Sequence, residues 1–132
     1  IRFARKIIDQ LGGNLIGKKI GILGWAFKAN TNDSRESASI YVSELLYKAG
    51  ANLEIYDPQV SEETILNDIK FYWKEDVDEI IDKIRICDRP PNFDDFDAIA
   101  ILTEWEEFKS LEIDLQKVFD GRRILKNTLF SI

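Results

Sequence analysis

Histidine and methionine are absent from this chain, cysteine occurs once and proline three times in 132 residues. Without histidine, neither a cysteine nor a serine has the usual base to activate it, and a zinc site would have to rest on carboxylates. The lone Cys87 therefore reads as a buried or bystander thiol rather than a nucleophile. It cannot close an internal disulfide, which points to a reducing, cytoplasmic setting. No apolar run is long enough to span a bilayer, and no leader-like segment opens the chain. The missing initiator methionine, and a tail (Leu129-Phe130-Ser131-Ile132) that stops in mid-pattern, suggest a piece of a longer protein. Positive charge is also in short supply: 18 Lys and Arg face 24 Asp and Glu, a net charge of −6 that argues against nucleic acid or anionic membrane as partners. What is abundant is apolar content, 45% hydrophobic with 11% aromatic, enough for one compact core and too much for a disordered tail.

The patterning predicts an α/β domain. Ala4, Ile7, Ile8 and Leu11 recur at helical spacing within residues 1–11, and Gly12-Gly13 stops that helix. Residues 1–17 read as a leading helix and linker from a preceding region, and 18–132 as the domain proper. Ile20–Trp25 is a short apolar run of the kind buried on both faces in parallel sheets. A polar loop, 28–36, follows. Asp33 or Ser34, with Glu36 behind, has the look of a helix N-cap, and the helix of about four turns that it predicts ends at Gly50. Asn52–Tyr56 is a second strand closed by Asp57-Pro58, so 20–56 forms a βαβ unit. Residues 62–68 predict a short helix, 69–73 a strand or a packing plug, 76–83 a helical turn, 84–87 and 96–103 strands, and 104–119 a mostly helical stretch. The sum is a three-layer Rossmann-like domain, a mostly parallel sheet with helices on both faces.

A glycine turn after the first strand of such a unit is a usual place for phosphate, because backbone N–H groups and a helix start converge there. Gly21-Ile22-Leu23-Gly24 is not the G-x-G-x-x-G of dinucleotide sites, and it reads equally as packing and turning. Lys28 and Arg35 flank the next loop and offer an anion cradle on an acidic molecule, or two solvated cations. Arg122-Arg123 after Asp120-Gly121 suits a diphosphate through paired donors, or is plain surface. Asp57 reads as a turn or a ribose ligand, and Trp25, Trp73 and Trp105 as core or interface.

Taken as one string, Gly24-Trp25-Ala26-Phe27-Lys28, Thr31, Asp33, Arg35-Glu36-Ser37, Leu45-Leu46, Gly50-Ala51 and Tyr56-Asp57-Pro58 resembles the C-terminal domain of the UDP-glucose 6-dehydrogenase family, among the nucleotide-sugar dehydrogenases. Ile101-Leu102-Thr103-Glu104-Trp105, Phe108-Lys109 and Asp120-Gly121-Arg122-Arg123 extend the match. The resemblance implies a UDP-binding domain of an oxidoreductase that converts UDP-glucose to UDP-glucuronate with two NAD. In that family a separate N-terminal domain binds NAD and carries the catalytic cysteine, and a central helix makes a homo-oligomer. It further implies that Phe27, Lys28 and Arg122 contact the substrate and that Arg35 reaches the NAD. No catalytic residue and no metal ligand is implied in this chain, which lacks the catalytic-cysteine motif and would not react alone.

The string departs from the family in places. Ser37-Ala38 replaces a common Ser-Pro or Ser-Ser, the proline pair within 88–95 stands where a short helix is usual, 115–120 is short and the tail after Leu125 is cut. The alternatives are the same domain from a dehydrogenase of another UDP- or GDP-sugar, and a non-catalytic Rossmann-like binding module.

Overall fold

The structure, a computed structural model, describes residues 2–131. Ile1 and Ile132, the ends of the predicted leading helix and of the apolar tail, lie outside it. Six strands form one all-parallel sheet in the order β3-β2-β1-β4-β5-β6. They are β1 (Lys19–Leu23), β2 (Asn52–Tyr56), β3 (Ile84–Cys87), β4 (Ala98–Ile101), β5 (Val118–Asp120) and β6 (Phe130–Ser131). The helices are α1 (Arg2–Gln10), α2 (Ala38–Lys48), α3 (Glu62–Asp68) and the single turn α4 (Val77–Ile80).

Side chains alternate across each strand, so the register sorts the core into two halves. Ile20 and Ile22 share a face with Leu53, Ile55, Ala98 and Ala100. Phe119 and Phe130 continue this face, and Phe3 of α1 packs on Phe130 with ring centroids 5.9 Å apart, α2 lying beside α1. On the opposite face sit Gly21, Leu23, Glu54, Tyr56, Ile99 and Ile101. There the covering layer is aromatic: Phe93 and Phe96 stack against the bare Cα of Gly21, and Phe108 meets Tyr56. A side chain at Gly21 would approach those rings to 3.1 Å, so this glycine makes room for packing.

Most predicted elements stand: α1, β1, β2, α3, β3 and β4 fall where the patterning puts them, as does the end of α2. Three differ. First, α2 starts after Ser37, not at Asp33 or Ser34, and runs 11 residues, about three turns rather than four. Asp33 spends its carboxylate on Arg35, and Glu36 has a left-handed backbone (φ 52°) that no α-helix can continue through. Second, Ile69–Trp73 is not a strand but a π-helical turn prolonging α3, and it acts as the packing plug of the other reading. It delivers Trp73 into the core, where its Nε1–H donates to the Ile40 carbonyl at 2.9 Å. Third, 104–119 is not an α-helix. It holds two short 3-10 turns, Glu106–Ser110 and Leu115–Lys117, and then β5. Trp105 and Phe108 are buried, and Tyr56 donates its hydroxyl to Glu107 at 2.7 Å. These anchors tie the stretch to the sheet, and pairing with β4 claims residues 118–120. Trp25, Trp73 and Trp105 are all core.

Candidate functional site

Strand order reverses between β1 and β4: the chain leaves β1 toward β2 and β3, then returns to β4 on the other side. In open parallel sheets the crevice beyond the carboxyl ends at this point is where ligands bind. Here it is occupied by the loop 24–37, and four strand ends hold that loop down.

The first turn out of β1 is made possible by Gly24, at φ +100°, where an added Cβ would lie 2.3 Å from the Thr103 hydroxyl. Thr103 donates that hydroxyl to the Ala26 carbonyl at 2.7 Å, and Ser39 donates to the Gly24 carbonyl at 2.7 Å. Asp57, at the end of β2, is buried. One carboxylate oxygen accepts from the Trp25 and Ala26 amides and the Trp105 indole (2.7, 2.9 and 3.1 Å), the other from the Gln59 and Val60 amides (2.8 and 3.0 Å). Asp68 accepts from the Trp25 indole at 2.9 Å and from the Ser34 hydroxyl at 2.6 Å, tying both ends of the loop to α3. Within the loop, the Phe27 amide donates to the Asp33 carbonyl at 2.9 Å.

Held in this way, Phe27 and Lys28 project from the mouth. Phe27 is 39% exposed, large for a phenylalanine, and the Lys28 ammonium lies 5.5 Å from its ring centroid, a cation–π contact. Arg122 arrives from the turn after β5. Asp120, fully buried, shapes that turn by accepting from the Arg122 amide at 3.0 Å and the Leu125 amide at 2.7 Å. The Arg122 guanidinium donates Nε–H to the Leu102 carbonyl at 3.0 Å and Nη2–H to the Phe27 carbonyl. Lys28 and Arg122 are thus brought to the same loop from distant parts of the chain.

Arg35 belongs to the other flank of Phe27, in an open pocket lined by Phe27, Asp33, Arg35, Glu36, Phe71 and Tyr72. Its side chain is 85% exposed, yet it is not loose: Nε–H and Nη2–H clasp the two Asp33 oxygens at 3.0 and 2.8 Å. Those bonds hold the Asp33 carboxyl down to about 2, from an ordinary 3.8, and push the Arg35 guanidinium up. A carboxylate lowered on folding contributes stability above its unfolded pKa and loses it as pH falls through the folded one. The order this clasp lends the loop should therefore fade between about pH 4 and pH 2. Carboxyl carbon NMR should show Asp33 titrating near 2, and Arg35→Gln should return it toward 3.8.

Two sequence readings resolve here. Asp57 has every oxygen engaged by protein N–H groups, so it is a structural hub and not a ribose ligand. Gly21 is filled over by aromatic rings and Gly24 serves a turn, so the first turn holds no dinucleotide cradle. Cys87 is half-buried, and burial raises its thiol, leaving it protonated at neutral pH; its Sγ lies 3.8 Å from the Glu54 carboxylate. Among the described residues no group of three potential metal ligands gathers, and no helix is long and apolar enough to cross a membrane. Sequence reasoning weighed Asp57 only as a turn or a ribose ligand, and passed over Asp68 and Glu104 as parts of the site. The available signal was placement: Asp57 follows directly on β2, and Glu104 comes three residues after β4, both at strand ends that open at the mouth.

Residues 21–127 match the model of the UDP-glucose/GDP-mannose dehydrogenase family, UDP binding domain. The chain belongs to this family. It is 42% identical over 133 residues to a UDP-glucose 6-dehydrogenase of Pongo abelii, covering 94% of this chain and 27% of that protein. It is 38% identical over 144 residues to UDP-glucose 6-dehydrogenase 1 of Arabidopsis thaliana, covering 95% and 30%. Among solved structures it superposes on a UDP-glucose dehydrogenase from Pyrobaculum islandicum with a TM-score of 0.71 at 27% identity, covering 98% of this chain and 27% of that one. The chain therefore spans less than a third of the length of these family members. The matched segment contains the whole mouth, from Gly24 to Arg122.

Proposed function

We propose that this domain binds the nucleotide diphosphate of UDP-glucose for a cytoplasmic NAD-dependent UDP-glucose 6-dehydrogenase, with Phe27, Lys28 and Arg122 as substrate-binding residues. The observation that carries this reading is the meeting of Lys28 and Arg122 at Phe27, over the carboxyl ends of β1 and β4. A diphosphate needs converging cations at a fixed spacing, and an acidic molecule that gathers two of them at its switch point has made a local exception to its own charge. The exposed Phe27 ring gives the sugar an apolar face to lie on.

NAD supplies the hydride acceptor for the oxidation of the sugar C6 alcohol to a carboxylate, and in this reading it is bound mainly by the preceding N-terminal domain. The residues here fit one contact to it and no more. Arg35, exposed and pre-aimed by Asp33, offers a guanidinium to the cofactor across a cleft, while Gly21, Gly24 and Asp57 are committed to packing and support. Residues 1–17 then lead in from the central region that would make the homo-oligomer. Neither nucleic acid nor membrane is a partner in this scheme, and the nucleophilic cysteine comes from outside this chain.

Titration calorimetry on the full-length protein tests the assignment. Lys28→Ala should weaken UDP binding roughly tenfold, the worth of one charge-assisted hydrogen bond at an exposed site. Unchanged affinity in both Lys28→Ala and Arg122→Ala would remove the assignment. UDP should raise the thermal midpoint and GDP should not; the reverse would point to a relative acting on a GDP-sugar.

A further inference from the structure

Glu104 follows β4 by three residues and lies beside the mouth with its side chain 39% exposed. Its Oε1 accepts the Ala29 amide at 3.1 Å and stands 3.8 Å from Nη2 of Arg122. The same Nη2 donates to the Phe27 carbonyl. The two peptide groups that flank Lys28 are therefore held from below by one ion pair, the leading one through its carbonyl by Arg122, the trailing one through its N–H by Glu104. Between those two points only the Lys28 side chain is left to move.

This arrangement is paradoxical for an anion site. A carboxylate next to a phosphate-binding arginine lowers the local positive potential, which by charge alone should weaken the ligand. Arg122 does not need Glu104 for its orientation, since two backbone carbonyls already fix it. What Glu104 alone provides is the acceptor for Ala29.

We infer that Glu104 is a positioning residue, which sets the direction in which Lys28 presents its ammonium to a nucleoside diphosphate. The inference rests on the function proposed above and adds a component to it. Because the acceptor matters and the charge works against binding, the amide and the truncation must behave oppositely. Glu104→Gln keeps an oxygen for the Ala29 amide and relieves the repulsion. Glu104→Ala leaves that amide without its partner and lets the 28–29 peptide turn.

The test uses the full-length protein, with UDP as the probe and hydrogen exchange by mass spectrometry over a peptide spanning 27–31 as a readout that needs no ligand. In Glu104→Ala, exchange of the Ala29 amide should quicken about tenfold or more and UDP affinity should fall about fivefold. In Glu104→Gln, exchange should stay near wild type and UDP affinity should be equal or higher. Tighter UDP binding by Glu104→Ala would mean that the charge alone matters, and it overturns the inference. So does unchanged exchange in Glu104→Ala, whether or not UDP binds. So does a Glu104→Gln variant that fails as badly as Glu104→Ala. Wild-type protein with no UDP affinity, together with fast exchange in Glu104→Ala alone, would overturn the proposed function and leave the clamp standing.

Discussion

Arg122→Ala should weaken UDP binding by the full-length protein about 100-fold, more than any other single change at the mouth. Two losses combine. The guanidinium is the donor best suited to a diphosphate, and a charge-assisted bond to it accounts for about 1.5–3 kcal/mol. The same side chain also ties the Phe27 carbonyl to the Leu102 carbonyl, so its removal unlatches the loop that carries Lys28. Arg122→Lys separates the two effects. A lysine keeps the charge but has no fork with which to bridge two carbonyls, and it should recover only part of the affinity. Calorimetry on the three proteins, with the thermal midpoint of each measured without ligand, checks this. Equal affinity in the Ala variant and the wild type would take Arg122 out of the site.

The largest stability loss is expected at Asp57, where unfolding by urea of Asp57→Ala should show a decrease of about 3–5 kcal/mol. The reason lies in its partners. Four backbone amides and the Trp105 indole all end on this one carboxylate. Truncation strands several donors at once, the Trp25, Ala26 and Val60 amides and the Trp105 indole among them in buried positions. Asp57→Asn keeps one oxygen and should recover part of the loss, though its NH2 group then faces other donors. Because Trp25 and Trp105 both depend on this residue, tryptophan fluorescence reports the same event. A loss under about 1 kcal/mol would show that the hub contributes little.

Much of this molecule was legible beforehand, and for definite reasons. Ile20–Leu23 and Ala98–Ile101 carry no polar side chain because both of their faces are covered, and that is the mark of interior parallel strands. Gly50 takes a φ of +110° that a helix end of this kind requires, so the end of α2 could be read directly. The start of α2 could not. Asp33, Ser34 and Glu36 fit a capping box, but each has a stronger tertiary or local claim on it: Asp33 from Arg35, Ser34 from Asp68, and Glu36 from a left-handed turn. Residues 104–119 misled for the same reason. They read as mostly helical, but Trp105 and Phe108 answer to the sheet beneath them, and local propensity yields to burial.

From their chemistry alone Lys28, Arg35 and Arg122 were legible as candidates and no further, each reading also as surface charge; the roles given to them came from the family resemblance. The amino-acid order by itself determined the alternation of apolar runs and capped helices, hence a parallel α/β domain, and the polar loops after its strands where cations would sit. Only the tertiary structure decided that Arg122 joins Lys28 at the loop after β1. Phe27 and Arg122 are separated by 95 positions and are joined because β4 and β5 return to lie beside β1, an outcome of sheet order that no local stretch encodes. Only the fold, too, turned Asp57 from a turn residue into the acceptor that supports the mouth, since a carboxylate's role depends on which donors the packing brings within reach of it.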